Sequence, residues 1–83
     1  MTPHDTISDY LVSRFRNSIP GGMLRFDDPL ISSGRIDSFG VLEVIAFLED
    51  TFQVTIEPSE HDLGEFETVN GIARVVENAR RAS

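Results

Sequence analysis

The sequence predicts an all-α fold, a small helical bundle. Three segments carry apolar residues at helical spacing, Gly and Pro collect between them, and no pair of alternating segments predicts a hairpin. With 83 residues the chain is long enough for one domain. We expect residues 1–83 to form a single unit with a small core.

The first helix is predicted over residues 2–17. Thr2 is the candidate N-cap, Pro3 takes the first helical position, and Asp5 lies in the first turn, where a negative charge suits the helix dipole. Turn residues over 18–22 end the helix. Its apolar stripe consists of Ile7, Leu11 and Phe15 at four-residue spacing, with Tyr10 beside them.

A long loop is predicted over residues 18–37, where no periodicity is visible and where Pro20, Pro29 and three glycines occur. Loops of this length are uncommon unless they are functional or anchored. A flexible linker is the alternative. The side chains expected to anchor the loop to the core are Met23, Leu24, Phe26, Leu30, Ile31 and Ile36.

The second helix, predicted over residues 38–52, has two apolar faces. One face is a core stripe of Val41, Val44, Ile45, Leu48 and Phe52. The opposite face consists of Phe39, Leu42 and Ala46, with Glu43 and Asp50 among them. We interpret this second face as an apolar strip, edged by carboxylates, that is offered to a partner. The alternative is that Phe39 and Leu42 pack under the long loop.

The remainder of the chain is predicted as a connector, a short turn and a last helix. Apolar residues alternate over 53–56, and a brief helical turn is expected somewhere within 58–66. Thr68 is the candidate N-cap of the last helix. Its apolar stripe is Val69, Ile72, Val76 and Ala79, with Val75 on the flank. Arg80 and Arg81 lie in its final turn, where cations suit the helix dipole.

The charge pattern limits the classes of partner. The net charge is −7, and all seven basic residues are Arg. Residues 37–67 hold nine acidic and no basic side chains, which leaves the rest of the chain at +2. Such a chain repels nucleic acid and anionic lipid, and it favours basic partners. No segment is apolar over the roughly 20 residues that a bilayer crossing needs.

The residues needed for most enzymatic chemistry are absent. The chain has no Cys and no Lys, and its two histidines, His4 and His61, are far in sequence from any candidate nucleophile. His61, in an acidic connector, is expected to be a solvated surface residue, and no metal site is predicted. We therefore expect a non-enzyme, with a small hydrolase or metal enzyme as an alternative. The lack of Cys and of a secretory leader favours a reducing, cytoplasmic location.

Ser38 follows Asp37 at the start of the second helix. Asp and Ser both cap helix N-termini, so capping alone is one interpretation. A hydroxyl at a helix N-terminus is also a good position for a phosphodiester, because free N–H groups and the positive dipole end stabilise an anion. Gly40 is expected to leave space beside the serine, and the acid-edged strip offers an enzyme with a basic rim a surface for docking.

The run Gly34-Arg35-Ile36-Asp37-Ser38-Phe39-Gly40, continued through residues 41–52, resembles the acyl and peptidyl carrier protein family. The family motif is an Asp-Ser-Leu-type triplet that opens the second helix of a four-helix bundle, and the resemblance covers nearly the whole chain. It implies a long loop between helices 1 and 2 and a short third helix. Phe39 replaces the commoner Leu and Gly40 replaces a frequent acid, which bears on the identity of the partners.

The resemblance implies that Ser38 receives 4′-phosphopantetheine from coenzyme A through a magnesium-using phosphopantetheinyl transferase, with Asp37 as the motif acid. The thiol of the arm would carry an aminoacyl or acyl thioester. A monomeric carrier would take this cargo from an adenylate-forming ligase to a downstream acyltransferase, synthase or tailoring enzyme. The positions that match the partner-facing residues of the family are Phe39, Leu42, Glu43, Ala46 and Asp50.

Within that family, residues 62–72 are most similar to D-alanyl carrier proteins and other discrete aminoacyl carriers. These relatives have an aromatic residue before a Thr-Pro-Asn-x-Ile helix start, and here Phe66 is the aromatic residue while Val69 stands in the Pro position. The competing hypothesis is an unmodified, acidic helical interaction module in which Ser38 is only a helix cap.

Overall fold

Three α-helices make up most of the regular structure of residues 2–82, the residues that this computed structural model describes. They are α1 (Pro3–Arg14), α2 (Ser38–Phe52) and α3 (Val69–Ala82). No strand occurs in this part of the chain, which confirms the all-α prediction. Short 3-10 turns connect the helices at Arg16–Ser18, Pro20–Gly22, Pro58–Glu60 and Leu63–Phe66.

Helix α1 begins as predicted and ends earlier than predicted. The Thr2 hydroxyl accepts the Asp5 N–H at 3.2 Å, and the Asp5 carboxylate accepts the Thr2 N–H at 3.3 Å, a reciprocal capping box. The helix ends at Arg14 and not at residue 17. The Phe15 N–H still reaches the Leu11 carbonyl, and the chain then tightens into the 3-10 turn Arg16–Ser18, a common way to satisfy terminal carbonyls.

The long loop is anchored to the core by some of the predicted side chains and not by others. Leu30 and Ile36 are buried, and Leu24 and Ile31 pack against the core. Two predicted anchors are wrong, because 77% of the Met23 side chain and 38% of the Phe26 side chain are exposed. Backbone hydrogen bonds secure this part of the loop instead, since the Phe26 carbonyl accepts the Asn70 N–H of α3 at 3.1 Å.

Helix α2 matches its predicted bounds, and its core stripe is buried apart from a half-buried Phe52. Gln53 closes it in the left-handed region, with φ 54°. In α3, the Thr68 hydroxyl accepts the Gly71 N–H at 3.0 Å, which confirms the predicted N-cap. The Arg80 guanidinium lies 5.2 Å from the centre of the Phe52 ring, joining the ends of α2 and α3.

The short third helix is represented by two 3-10 turns. Pro58–Glu60 and Leu63–Phe66 are three and four residues long, and Asp62 and Glu65 form a second capping box around the latter. The Asp62–Glu65 box closes a single turn, and Phe66 anchors that turn in the core. A fourth α-helix is therefore not found within residues 2–82, and the four-helix count is not confirmed.

One continuous apolar core joins the three helices, the loop and the connector, with α1 and α3 forming the closest helix pair in the described chain. Val54 and Ile56 are both buried, as their alternation predicts. None of the helices among residues 2–82 has the length and hydropathy needed to cross a bilayer. The fully buried side chains are Ile7, Leu11, Ile19, Leu30, Val44, Leu48, Val69, Ile72 and Val76.

Candidate functional site

Ser38 is the first residue of α2, and the residue before it performs the capping. Asp37 is extended, with φ −100°, and its carboxylate accepts the Gly40 N–H at 2.8 Å. Ser38 is exposed, and its hydroxyl forms no hydrogen bond with any group of residues 2–82. The hydroxyl is therefore open to a reagent from solvent, and the helix does not depend on it as a cap.

The backbone at this helix start favours an anion on the serine. In the first turn of a helix the N–H groups lack an intrahelical acceptor, and the Asp37 carboxylate takes up the one from Gly40. The N–H groups of Ser38 and Phe39 have no acceptor within the described chain. Together with the positive end of the helix dipole they suit a phosphate ester on the Ser38 oxygen.

Gly40 has a packing role that the sequence did not reveal. A Cβ built at this position would lie 2.6 Å from Ile36 Cγ2 and 3.1 Å from Phe15 Cε1. The space that the missing side chain leaves is thus filled by Ile36 and Phe15, which pack directly against the first turn of α2. The expectation that Gly40 leaves room beside Ser38 is wrong, because Gly40 is buried and Ile36 and Phe15 fill the space beside it.

The loop that leads to Ser38 is held in place by Glu67. The Glu67 carbonyl accepts the Leu30 N–H at 2.7 Å, and its carboxylate accepts the N–H groups of Ile31 at 2.8 Å and Ser32 at 3.0 Å. The Leu30 carbonyl in turn accepts the Ile36 N–H at 3.0 Å. The Ser32 N–H, and then the other donors of the loop, lower the pKa of Glu67 below its ordinary value, although partial burial opposes this.

The outer face of α2 is an exposed apolar strip, as predicted. The exposed fraction is 79% at Phe39 and 52% at Leu42, and Ala46 and Asp50 are also exposed. The alternative that Phe39 and Leu42 pack under the long loop is thus wrong. Because large apolar side chains are rarely exposed together, Phe39 and Leu42 make this face the candidate partner surface.

Glu43, the first carboxylate of this face, is paired within the chain. Arg14 Nη2 lies 2.9 Å from Glu43 Oε1 and 2.8 Å from Oε2, so one nitrogen contacts both carboxylate oxygens. The Arg14 guanidinium also lies 5.5 Å from the centre of the Phe15 ring. Burial and then the Glu43 charge raise the pKa of Tyr10, while Arg14 lowers it. Sequence reasoning missed Arg14, which is 29 residues from its partner and follows no local motif.

Each histidine lies beside an aromatic ring, and the expectation that His61 is solvated is wrong. His4 is in the first turn of α1, with its ring centre 5.3 Å from that of Phe26. His61 is partly buried and not fully solvated; its Nδ1 lies 3.0 Å from Glu65 Oε1, and its ring meets Phe66 edge-on. Across residues 2–82 no group of three or more His, Asp or Glu side chains is arranged to hold a metal ion.

Fold and site together define a class of protein: a small helical domain that presents an exposed serine at a helix start, beside an exposed apolar strip. Its interior is filled mainly by aliphatic side chains.

Comparison with known proteins agrees with this class. Residues 17–76 match the family described as the phosphopantetheine attachment site. D-alanyl carrier proteins of Streptococcus pyogenes serotypes M5 (strain Manfredo), M49 (strain NZ131) and M1 are each 36% identical to this chain over 56 residues, or 68% of this chain and 71% of theirs. The chain belongs to the phosphopantetheine carrier protein family, and its cofactor is 4′-phosphopantetheine. The resemblance noted in the sequence is thereby confirmed.

Proposed function

We propose that Ser38 is the residue to which the phosphopantetheine arm is attached, with Asp37 as the motif acid that caps the helix beneath it. The observation that carries the proposal is an exposed, unbonded hydroxyl in the first turn of α2, where the cap is supplied by the preceding residue.

The other serines within the matched residues are less suited to this role. The Ser32 hydroxyl donates to Glu67 Oε1 at 3.3 Å, and the Ser33 hydroxyl donates to the Pro29 carbonyl at 2.6 Å. Ser18 and Ser59 lie in 3-10 turns of three residues, which have a much smaller dipole than an α-helix of 15 residues. Ser38 thus combines an accessible hydroxyl with the electrostatic environment that a phosphodiester requires.

The proposed modification is a phosphoryl transfer to Ser38 Oγ. A bond forms between Oγ and the phosphorus that bears the pantetheine of coenzyme A, and the pyrophosphate P–O bond breaks. The adenosine bisphosphate portion leaves with the electron pair of that bond, and the hydroxyl proton passes to a base of the transferase. Magnesium bound with the transferase and coenzyme A would offset the charge of the leaving group. This chain contributes the accessible oxygen and the helix N-terminus.

The modified chain would act as a carrier and not as an enzyme. When bound, the arm supplies a terminal thiol that holds cargo as a thioester, and a chain without Cys has no competing thiol. We propose that it moves an aminoacyl or acyl group from an adenylate-forming ligase to a downstream acyltransferase, synthase or tailoring enzyme. The relatives are named for a D-alanyl cargo, which belongs to this class. A reducing cytoplasm suits the arm, because oxidising compartments drive thiols into disulfides.

The surface proposed to meet these partners is the outer face of α2. Its exposed members are Phe39, Leu42, Ala46 and Asp50, with Glu43 at its edge. The apolar side chains would supply contact area, and a partner with basic residues would complement the acidic segment.

Incubation of the unmodified protein with coenzyme A, magnesium and a broad-specificity phosphopantetheinyl transferase tests the proposal by intact-protein mass spectrometry. We expect a gain of one phosphopantetheine in the wild type and none in Ser38→Ala. Ser59→Ala, which removes another exposed serine hydroxyl, is the matched control and should be modified like the wild type. An unmodified wild type, or equal modification of Ser38→Ala, would contradict the proposal and favour an unmodified interaction module.

A further inference from the structure

The inference concerns which carboxylate of α2 a modifying enzyme can contact, and it rests on the proposed modification of Ser38. An enzyme that acts on the Ser38 hydroxyl must cover the first turns of the outer face of α2. Leu42 is four residues from Ser38 and Glu43 is four residues from Phe39, so helical spacing brings all of them into that footprint. Glu43 lies only about 7.5 Å along the helix axis from Ser38.

The three carboxylates of α2 have different partners within the chain. Both oxygens of Glu43 contact Arg14, and Glu49 accepts the Ile56 N–H at 3.0 Å. The Asp50 carboxylate has no hydrogen-bond or ion-pair partner among residues 2–82. Of the carboxylates within α2, the one nearest Ser38 is thus paired by its own chain, while Asp50, farther along the helix, is unpaired in the described chain.

Asp50 is still within reach of the same enzyme. It lies about 18 Å along the axis from Ser38. An interface patch of standard size, about 800 Å² on each partner, is roughly 28 Å across if it is square. One enzyme can therefore act on Ser38 and contact Asp50 together.

We propose that Arg14 is a specificity-determining residue that withholds Glu43 from the phosphopantetheinyl transferase, so that the basic groups of the enzyme pair with Asp50 at the far end of the strip. Charge complementarity identifies the partner, because residues 37–67 have a charge of −9 and the enzyme acting on Ser38 must approach them. Beyond Asp37, whose carboxylate caps α2, the strip beside Ser38 is apolar and Glu43 is paired, which selects an enzyme with an apolar contact there and a basic group some distance away.

The ion pair can be removed by mutation without loss of the fold. About half of each side chain is exposed, 53% at Arg14 and 43% at Glu43, so its removal should leave the fold intact. The cation–π contact between Arg14 and Phe15 further restricts the guanidinium. Effects on association are therefore expected to be several-fold and to decrease as salt is added.

Steady-state loading of Ser38 by the transferase, measured at physiological ionic strength and again at about tenfold higher salt, tests the proposal. We expect Arg14→Gln to raise kcat/KM about two- to fivefold, by lowering KM. The control is Arg16→Gln, which makes the same charge change at an exposed Arg with no ion pair in the described chain. Glu43→Gln should lower kcat/KM by less than about twofold in the wild type and by about two- to fivefold in the Arg14→Gln background.

A third variant tests the role of Asp50. Asp50→Asn should lower kcat/KM by about two- to fivefold, more than Glu60→Gln, an exposed carboxylate outside α2. Equal losses for Glu43→Gln in both backgrounds, equal effects of Arg14→Gln and Arg16→Gln, or equal effects of Asp50→Asn and Glu60→Gln would each overturn the inference. In those cases a normally loaded wild type leaves the proposed function standing, whereas an unloaded wild type overturns both.

Discussion

At the scale of single residues, the start of α2 divides two tasks between neighbours that both have side-chain oxygens. Asp37 accepts the Gly40 N–H and so caps the helix, while the Ser38 hydroxyl is left without a partner in residues 2–82. If the serine were the cap, its modification would remove a stabilising hydrogen bond. With the aspartate as the cap, the serine can be esterified without loss of helix stability.

Stability measurements on two alanine variants check this division. Asp37→Ala should lower the free energy of unfolding by about 0.5–2 kcal/mol, because it removes the N-cap. Ser38→Ala should change it by no more than about 0.5 kcal/mol, as expected of an exposed side chain without contacts. Urea denaturation of both variants measures these two changes in the free energy of unfolding. A larger loss in Ser38→Ala than in Asp37→Ala would mean that the serine is the structural cap.

At the scale of elements, the 3-10 turn Leu63–Phe66 docks on α3 through a glycine. A Cβ at Gly71 would lie 2.6 Å from the backbone oxygen of Glu65, so any side chain there forces the turn away from the helix. Gly64, within the turn, has no heavy atom within 4 Å of its virtual Cβ. The two glycines are therefore a matched pair for testing how closely the elements approach.

We expect Gly71→Ala to destabilise the protein by about 1–3 kcal/mol, because overpacking outweighs the better helix propensity of Ala. Gly64→Ala should stay within about 1 kcal/mol of the wild type. Thermal or urea unfolding measures both. If Gly71→Ala is as stable as Gly64→Ala, the turn and α3 are not in close contact.

The connection between the long loop and the segment that leads into α3 should depend on pH through Glu67. Because the folded pKa of Glu67 lies below its ordinary value, its ionised form stabilises the fold at neutral pH. This contribution begins to fall as the pH drops to the unfolded pKa of a glutamate, and it is lost once the pH is below the folded pKa. Protonation weakens the acceptor of the Ile31 and Ser32 N–H groups.

This pH dependence is measured as the urea midpoint of unfolding between about pH 7 and about pH 3, together with amide hydrogen exchange at Ile31 and Ser32. Glu67→Gln should flatten the acid limb of the pH profile and speed exchange at both amides. Glu57→Gln, which removes an exposed carboxylate without a hydrogen bond in the described chain, is the control. Equal profiles for the two variants would show that Glu67 does not hold the loop.

At the scale of the whole molecule, features set by near neighbours in sequence could be predicted and those set by distant pairs could not. The caps at Thr2 and Thr68 and the two faces of α2 follow from local spacing. The Arg14–Glu43 ion pair and the Glu67 contacts to Ile31 and Ser32 join residues 29 to 36 positions apart, for which no local pattern exists.

The remaining misses have the same physical origin. Gly40 was interpreted from its neighbour Ser38, whereas its role is set by Ile36 and by Phe15, the residue that follows α1. Met23 and Phe26 are apolar and so fit a core by type, but the backbone of the loop is already fixed by hydrogen bonds that leave both side chains exposed. Composition identifies which residues could be buried, and chain geometry selects among them.

Charge also acts on the molecule as a whole. Residues 37–67 hold nine acids and no base, and self-repulsion of this kind destabilises a compact state. The urea midpoint should therefore rise as salt is raised from about 0.01 M to about 0.1 M, since the screening length falls from about 30 Å to about 10 Å. Glu60→Gln should reduce the response. A midpoint that falls with salt would mean that ion pairs outweigh the repulsion.

The central claim is that Ser38 bears the arm, and peptide-level tandem mass spectrometry of the protein after transferase treatment tests it most directly. We predict a phosphopantetheine adduct on the peptide that contains Ser38, with fragment ions that assign it to the Ser38 oxygen. An adduct on Ser32, Ser33 or any other residue, or a fully folded wild type that remains unmodified, would contradict the account.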